Sequence, residues 1–380
     1  MMKCRILLLG FSCWITGISA QNLSKTLIFD GQTRSYRIYI PAAYNASNPV
    51  PLVLALHGLG DNANNFQGVG FNQIADTANF IAVYPNALAD PLLQGTAWNT
   101  GIYPGNSSND VGFLNALLDT ILHSYSVDTN RIYCTGFSLG GFMTYRMACE
   151  SGERFAAVAS VAGSLPAPSI ATCYAGKAMP VLHIHGTSDQ TIPFNFGTIY
   201  IVVTNLGADS TTHFWALHNG CETAARHDSI ANTKNDGLTF EKYSYTSCSD
   251  SSEVLLYKAN GMQHTWPMAS NDVNATKEIW NFFSRHHKIS GGDTTNTGLV
   301  EIAPDFIISP NPASHKVSVM SSFSGPLQVV LTDLSGKELY RDESADSFHN
   351  LALDNLKEGI YLLALTAQQK TTLKKLVVIR

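Results

Sequence analysis

The fold of this chain is decided by the stretch Arg131 to Gly141, which reads Arg-Ile-Tyr-Cys-Thr-Gly-Phe-Ser-Leu-Gly-Gly. A short β-prone run, Ile132 to Thr135, comes first, and a helix-prone run, Phe142 to Cys149, follows the last glycines. Between them Ser138 stands in the middle of a glycine-flanked turn. A turn this tight needs glycines, because a Cβ atom would block the neighbouring backbones. The stretch therefore predicts a strand, a sharp turn and a helix, with the hydroxyl of Ser138 exposed at the turn.

A serine on a strand-to-helix turn is typical of the nucleophile elbow of an α/β-hydrolase. The start of the helix behind it offers backbone N–H groups and a positive dipole end to a developing oxyanion. The N–H of Leu139 is the natural donor on this side. The pattern from Gly136 to Gly140 also occurs by chance, so a glycine-rich turn with a capping serine is the alternative. Two partner motifs downstream favour the elbow.

The composition indicates a large buried core. The chain has 380 residues, of which 45% are hydrophobic and 14% charged, and this fits one large domain followed by a small one. The net charge of −5 and the pI near 6.2 argue against nucleic acid as the main partner.

The first residues have the pattern of a secretion signal. Lys3 and Arg5 form a positive segment, and the mostly apolar run Ile6 to Ile18 is followed by a small-residue cleavage point, Ser19-Ala20. The apolar run has 13 residues, too few to cross a bilayer comfortably, so we expect no transmembrane segment. A lipoprotein signal ending at Cys13 is an alternative with a poorer match. We expect export through the periplasm to the cell surface or beyond.

The seven cysteines suggest disulfides and no metal centre. In an exported protein, pairs are plausible, and Cys221 with Cys248 is the first choice because they flank a polar loop. Cys149 with Cys173 is a second pair, and Cys134, in the strand before the elbow, is expected to be a buried free thiol. None of the spacings is typical of zinc, so we expect neither a metal nor another cofactor.

An early strand should supply the second oxyanion donor. Pro51 to Leu56 is a continuous apolar run, which predicts a strand buried on both faces. It ends in His57-Gly58-Leu59-Gly60-Asp61, and the loop after this strand carries that donor in α/β-hydrolases. Leu59 is the natural choice, and the alternative is an ordinary glycine-rich turn.

Two later loops supply partners for Ser138. The run Pro180 to Ile184 predicts a strand that leads into His185-Gly186-Thr187-Ser188-Asp189, where Asp189 is the expected acid or, alternatively, an ordinary Asx turn. His264 lies in a glycine-led loop after the last strand and fits the base. The order Ser138, Asp189, His264 is that of α/β-hydrolases. A serine hydroxyl needs a base near pH 7, and Asp189 would hold the imidazole in one tautomer.

Other histidines and aromatic residues compete for roles at this site. His57 and His185 are rival bases, and His183 with His185 on one strand could suggest metal, although a structural pair is favoured. Trp98 lies in the long loop from 85 to 105 and either lines the substrate cleft or only pins that loop. With Trp98, the expected substrate contacts are Trp266 and His57.

Periodicity predicts the remaining elements. Expected strands are Leu27 to Phe29 paired with Tyr36 to Ile40, Phe80 to Tyr84, Phe155 to Val161, Thr239 to Tyr245 and Glu253 to Tyr257. Expected helices are Phe71 to Ala78, Asp110 to Ser124, one or two within Phe196 to Leu217, and Ala275 to His286.

Five segments resemble the family of secreted polyhydroxybutyrate depolymerases and feruloyl esterases, over about Thr26 to His287. They are Gly136 to Arg146, Leu56-His57-Gly58, Asp110-Val111-Gly112-Phe113, His185 to Asp189 and His264-Thr265-Trp266-Pro267. The resemblance implies hydrolysis of carboxylic esters: aromatic esters on plant polysaccharide, acetyl groups on xylan, or aliphatic polyesters. Leu59 is a departure, because a smaller residue is frequent there; the backbone donor is kept but the pocket wall changes.

The end of the chain has a different character. Residues 289–303 are rich in Gly, Asp, Thr and Asn and predict a linker, and short alternating strands with turn signals in 304–380 predict a small β-sandwich. Segments such as Ser309-Pro310-Asn311-Pro312-Ala313 and Leu356 to Leu362 resemble the sorting domain of the type IX secretion system. This implies recognition by the secretion machinery, with cleavage or surface anchoring. A carbohydrate- or polymer-binding module is the rival, although few aromatic residues occur there.

The sequence therefore predicts a signal peptide in 1–20, a mostly parallel α/β-hydrolase domain in 21–288, a linker and an all-β sandwich. The expected activity is that of a secreted serine esterase acting through an acyl-enzyme on polymer-linked esters, with feruloyl or acetyl esters of polysaccharide ahead of polyester. An inactive hydrolase fold that serves as a surface binding protein is the alternative from another class. A peptidase ranks lower, because no propeller-like domain is evident.

Overall fold

A computed structural model describes most of the chain. The described residues are 19–101, 107–165, 173, 178–195, 197–199, 203–222, 224–288, 306–309, 313–321, 326–344, 348–367 and 370–378. The predicted signal peptide, apart from its last two residues, and the predicted linker lie outside them.

A ten-stranded sheet organises residues 21–288. The strands of this part, in chain order, are β1 (Gln21–Phe29), β2 (Gln32–Ile40), β3 (Val50–Leu56), β4 (Ile81–Pro85), β5 (Leu88–Asp90), β6 (Gly95–Ala97), β7 (Val127–Phe137), β8 (Ala157–Val161), β9 (Val181–Gly186), β10 (Gly197–Ile199), β11 (Val203–Asn205), β12 (Arg226–Ser229), β13 (Thr239–Tyr245) and β14 (Val254–Asn260). The helices are α1 (Ala63–Phe66), α2 (Phe71–Ala78), α3 (Asp110–Ser124), α4 (Leu139–Glu150), α5 (Ala208–His218) and α6 (Ala275–Phe283).

The large sheet is mostly parallel at its centre, as predicted. Its order is β1-β2-β4-β3-β7-β8-β9-β14-β13-β12. The six central strands, from β4 to β14 in this order, are parallel to their neighbours, and the outer strands are antiparallel. Because parallel strands end at one edge, the loops after β3, β7, β9 and β14 meet there. This is the edge where open α/β sheets bind their ligands.

Both faces of the sheet are covered by helices. Leu52 and Leu54 of β3 pack in one apolar cluster with α3 and α4, whereas Val53 and Ala55 pack in a second cluster with α2 and α6. Every residue of β3 is buried. This burial on both faces explains why its sequence is a continuous apolar run rather than an alternating one.

Several elements agree with the sequence pattern, and others differ. The strand predicted as Leu27 to Phe29 begins at Gln21, and the helix predicted as Ala275 to His286 ends at Phe283. Helices α2 and α3 and strand β13 have the predicted bounds. The supposedly irregular loop 85–105 contains the hairpin of β5 and β6, and the region Phe196 to Leu217 holds a second hairpin, β10 with β11, before its single described helix. Strand β12 is mostly exposed and polar, so it carries no apolar signal.

Both expected disulfides are present. Cys149 is bonded to Cys173, and Cys221 to Cys248. Cys134 is a buried free thiol, as predicted, and burial raises its pKa to about 12. It is therefore protonated and unreactive at neutral pH.

The C-terminal part forms two antiparallel sheets. Its strands are β15 (Phe306–Ser309), β16 (Lys316–Ser321), β17 (Leu327–Thr332), β18 (Glu338–Ser344), β19 (Phe348–Ala352), β20 (Gly359–Ala367) and β21 (Lys370–Val378). The sheets β15-β16-β19 and β18-β17-β20-β21 bury one shared apolar cluster, which includes Val317, Val329 and Leu363. This is the predicted sandwich. Within the described parts of the chain, no helix is long and apolar enough to cross a membrane.

Candidate active site

Ser138 lies on the sharp turn between β7 and α4. Its φ of 53° and ψ of −120° are strained for a residue other than glycine, and it is 8% exposed. A Cβ atom on Gly136 would lie 2.2 Å from the carbonyl oxygen of Gly140, and one on Gly140 would lie 2.1 Å from that of Leu56. Both positions therefore exclude any larger residue, which is the physical reason for the glycine pattern read from the sequence.

The three residues predicted as a triad are in hydrogen-bond contact. His264 Nε2 lies 2.9 Å from Ser138 Oγ, and His264 Nδ1 lies 2.7 Å from Asp189 Oδ2. Because a carboxylate only accepts, Nδ1 carries the proton, and Nε2 is left to accept the proton of the serine hydroxyl. The site is partly shielded from water, since the His264 side chain is 19% exposed and that of Asp189 is fully buried.

Backbone contacts between two loops bring acid and base together. The N–H of Ser188 donates to the carbonyl of Met262 at 3.0 Å. A Cβ atom on Gly186 would lie 2.2 Å from that same carbonyl oxygen, so glycine permits the close approach. The parallel pairing of β9 with β14 therefore continues into the loops that carry Asp189 and His264.

Asp189 is held as an anion. Its Oδ1 accepts from the N–H groups of Thr191 at 2.9 Å and Ile192 at 2.8 Å, so the Asx turn considered from the sequence is present as well. Burial raises the pKa of this carboxyl, but hydrogen bonds from His185, His264 and Ile192 outweigh burial and hold the pKa well below its usual range. The carboxylate is therefore charged whenever His264 works as a base.

The two predicted oxyanion donors lie beside Ser138. Leu139 is the first residue of α4, and an N–H group in that position has no intrahelical acceptor. A Cβ atom on Gly58 would lie 3.4 Å from the Cβ of Ser138, so the loop that carries Leu59 passes directly next to the nucleophile. The missed hairpin β5–β6 supports this loop, because the N–H of Gly60 donates to the carbonyl of Thr96 at 2.9 Å.

His57 is a support for this loop and not a rival base. Its Nε2 accepts from the N–H of Ala87 at 3.1 Å, so Nδ1 carries the proton and donates to the carbonyl of Gly58 at 2.7 Å. The ring is completely buried, and burial lowers its pKa. The expected contact of His57 with substrate does not agree with this burial, since both nitrogens already have backbone partners.

Burial also limits the contact of the two tryptophans with substrate. Trp98 is completely buried, and its Nε1 donates to the carbonyl of His57 at 2.9 Å. Trp266 is 9% exposed, packs edge-on against Phe66, and donates to Thr276 Oγ1 at 3.0 Å. The expectation that Trp98 lines a substrate cleft is therefore wrong, because its ring is completely buried. Trp266 offers little surface to a ligand.

His185 is the residue at this site that sequence reasoning undervalued. Its Nε2 lies 3.4 Å from Asp189 Oδ2, the same oxygen that accepts from His264 Nδ1. The available signal was its position four residues before the acid. Among the described residues, no three His, Cys, Asp or Glu side chains are grouped to hold a metal ion.

Comparison with known proteins agrees with the fold and the chemistry. The profile of the family Phospholipase/Carboxylesterase matches residues 43–214, and that of a secretion system C-terminal sorting domain matches residues 308–379. The chain carries an α/β-hydrolase domain of the carboxylesterase type and a secretion sorting domain. It is a serine carboxylic ester hydrolase, and its sorting domain marks it for export to the cell surface or outside.

The relatives of this chain include proteins named as feruloyl and acetylxylan esterases. Feruloyl esterase D of Neurospora crassa is 27% identical over 68% of this chain and 84% of that protein. A bifunctional acetylxylan esterase/xylanase of Neocallimastix patriciarum is 30% identical over 43% of this chain and 22% of that protein. The structure of an acetyl xylan esterase from Aspergillus awamori superposes with a TM-score of 0.51, at 20% identity, over 70% of this chain and 99% of that one. This last similarity supports the hydrolase fold.

Proposed function

We propose that this esterase removes feruloyl or acetyl groups from plant polysaccharide through an acyl-enzyme on Ser138. The observation that carries the proposal is the unbroken line of hydrogen bonds from Ser138 through His264 to Asp189. Such a line is the arrangement that activates a serine hydroxyl for acyl transfer.

The first half-reaction forms the acyl-enzyme. Ser138 Oγ attacks the ester carbonyl carbon while His264 Nε2 takes the hydroxyl proton. The N–H groups of Leu139 and Leu59 bind the oxyanion of the tetrahedral intermediate, and Asp189 stabilises the imidazolium. His264 then gives its proton to the oxygen of the departing alcohol.

The second half-reaction restores the enzyme. His264 Nε2 takes a proton from water, and the resulting hydroxide attacks the acyl carbonyl carbon. The second tetrahedral intermediate collapses, Ser138 Oγ leaves with the proton held by His264, and the carboxylic acid is released.

The substrate class is supported by the named relatives and by the sorting domain. Feruloyl esterase D and the acetylxylan esterase/xylanase are matched across the hydrolase domain or a large part of it. Export places the active site outside the cell, where polymer-bound esters are accessible. The type IX secretion machinery is the expected export partner, nucleic acid is not expected as a partner, and no cofactor is required by the reaction written above.

Hydrolysis of three substrates tests this proposal. Release of ferulate from methyl ferulate, of acetate from acetylated xylan, and of soluble acid from polyhydroxybutyrate should be measured with the wild type and with Ser138→Ala. We expect turnover of one of the first two and loss of that turnover in the variant. Turnover of polyhydroxybutyrate alone would assign the polyester alternative, and no turnover with no covalent labelling by a fluorophosphonate would favour the inactive binding protein.

A further inference from the structure

A chain of buried side chains leads away from Asp189 into the core. His185 Nε2 lies 2.8 Å from the carbonyl oxygen of Ile192 and 3.4 Å from Asp189 Oδ2. His185 Nδ1 lies 3.1 Å from His183 Nε2, and His183 Nδ1 lies 2.7 Å from the hydroxyl of Tyr145. All three of these side chains are completely buried.

The partners of each nitrogen fix the direction in which the hydrogen bonds of this chain of side chains run. His185 Nε2 faces only acceptors, a carbonyl and a carboxylate, so it carries the proton and Nδ1 accepts. His183 must then donate from Nε2, which leaves its Nδ1 to accept the hydroxyl proton of Tyr145. Burial lowers the pKa of His183 well below its ordinary value and raises that of Tyr145 well above, so both are neutral. Every donor in the chain therefore points towards the acid.

The chain also connects the elements that carry nucleophile and acid. Tyr145 lies on α4, the helix that begins after Ser138, whereas His183 and His185 lie on β9. At its other end, His185 holds the carbonyl of Ile192, whose N–H donates to Asp189 Oδ1. The imidazole of His185 therefore holds the turn whose N–H groups bind Asp189 Oδ1. The same imidazole also lies next to Asp189 Oδ2.

We infer that His185 is a positioning residue for the acid of the triad, acting as a second donor that keeps Asp189 Oδ2 aimed at His264. This inference rests on the proposed esterase reaction. His183 and Tyr145 support it by fixing the tautomer and ring orientation of His185. The two histidines, which the sequence indicated only as a structural pair, are then part of the machinery that orients the base.

Two similar substitutions separate the positioning role from simple packing. In His185→Gln the amide nitrogen reaches the place of Nε2, so it can still donate to Ile192 and Asp189 but no longer pairs with His183. In His185→Asn the shorter amide reaches the place of Nδ1, so it can still pair with His183 but cannot reach Asp189. Both variants are polar, and each leaves one neighbour unpaired.

Steady-state kinetics on p-nitrophenyl acetate, with the full chain, should distinguish the two variants. We expect His185→Asn to lower kcat about tenfold at nearly unchanged KM, because a donor to a charged group is lost, whereas His185→Gln stays within about threefold of the wild type. His213→Asn, at another buried histidine that does not touch Asp189, is the matched control and should leave kcat unchanged. Tyr145→Phe should lower kcat by about twofold to threefold and should fold normally.

The outcomes decide the inference separately from the esterase proposal. If wild type neither turns over ester nor reacts with a fluorophosphonate, the esterase proposal fails, and the positioning role fails with it. If wild type is active and labelled, equal kcat in the Asn and Gln variants would overturn the positioning role alone. Should His185→Asn fail to fold, a wild-type kcat in Tyr145→Phe together with a tenfold loss in His185→Gln would overturn it as well.

Discussion

Two imidazoles face the carboxylate of Asp189, and they differ in what lies behind them. The other ring nitrogen of His264 contacts Ser138 Oγ, and the side chain of His264 is 19% exposed. Protons can therefore pass between the serine, the substrate and water. The other ring nitrogen of His185 contacts His183, and the side chain of His185 is completely buried. No reacting atom can therefore reach His185. The same type of side chain beside the same acid thus becomes a base on one side and a support on the other. The exposure of each imidazole and the hydrogen-bond partner of its other ring nitrogen decide whether it acts as a base or as a support.

The largest effect is expected from changes to Ser138 and His264. Ser138→Ala or His264→Ala should each lower kcat by about 10⁴- to 10⁶-fold, because members of a triad act as one unit. Initial rates on p-nitrophenyl acetate at high enzyme concentration would measure this loss. The double variant should be no worse than either single one. An additive loss in the double variant would show that the two residues act independently.

Asp189→Asn should have the next largest effect. An asparagine amide carries an N–H donor, whereas the carboxylate only accepts from His264 Nδ1–H. The imidazole therefore takes the wrong tautomer, and we expect kcat to fall about 10⁴-fold with KM little changed. The measurement is kcat and KM for methyl ferulate or p-nitrophenyl acetate. A loss confined to KM would contradict the role given to Asp189.

His57→Gln tests a buried imidazole that supports the site without touching Asp189. We expect kcat to fall about tenfold, because the loop carrying Leu59 loosens but is still held by the hydrogen bond from Trp98. This fall in kcat is smaller than the fall expected when an oxyanion donor is lost. The change should appear in kcat/KM, and the thermal midpoint should drop by only a few degrees. A loss as large as that of His264→Ala would contradict a purely supporting role for His57.

The smallest effect concerns stability at acidic pH. His183 is neutral in the folded state, since burial lowers its pKa, whereas in the unfolded state it binds a proton near pH 6.5. The unfolded state therefore holds one more proton, and stability is lost as pH falls below about 6.5, by up to about 1.4 kcal/mol per pH unit. His183→Gln should reduce this slope by that amount.

Urea unfolding from pH 7 to 5, followed by tryptophan fluorescence, would check the slope. Within the predicted mature chain, all tryptophans lie in residues 21–288, so the signal reports on the hydrolase domain alone. The variant is expected to be less stable at pH 7, because a buried chain is interrupted, so the comparison concerns slopes rather than absolute values. Parallel pH dependences for wild type and variant would contradict a neutral His183.

Elements with strong side-chain patterns were predictable from the sequence. The continuous apolar run of β3 and the helical periodicity of α3 specify their own burial, and the glycines around Ser138 specify the elbow. The short hairpin β5–β6 and the polar strand β12 were not predictable. Three or four residues give almost no alternation, and such strands exist because a neighbouring strand or loop pairs with them.

The site was predictable in its members but not in the orientation of their neighbours. Chain order and residue type were enough to name Ser138, Asp189 and His264, whose side chains the structure brings together. Trp98 was a candidate for the cleft because long irregular loops above a sheet often bind ligands, with a loop-pinning role as the alternative. The missed β5–β6 hairpin ends just before it, and the ring is buried. The inward direction of His185 depends on contacts between distant elements, such as Tyr145 on α4 with His183 on β9, which no local pattern records.

Identification of the residue labelled by a fluorophosphonate tests the central claim most directly. The wild-type chain should gain one adduct by intact mass, with peptide mapping that places it on Ser138, and ester hydrolysis should disappear in proportion. Ser138→Ala should gain none, although His264 and Asp189 are unchanged. Labelling of another residue, or hydrolysis that survives in Ser138→Ala, would contradict the account.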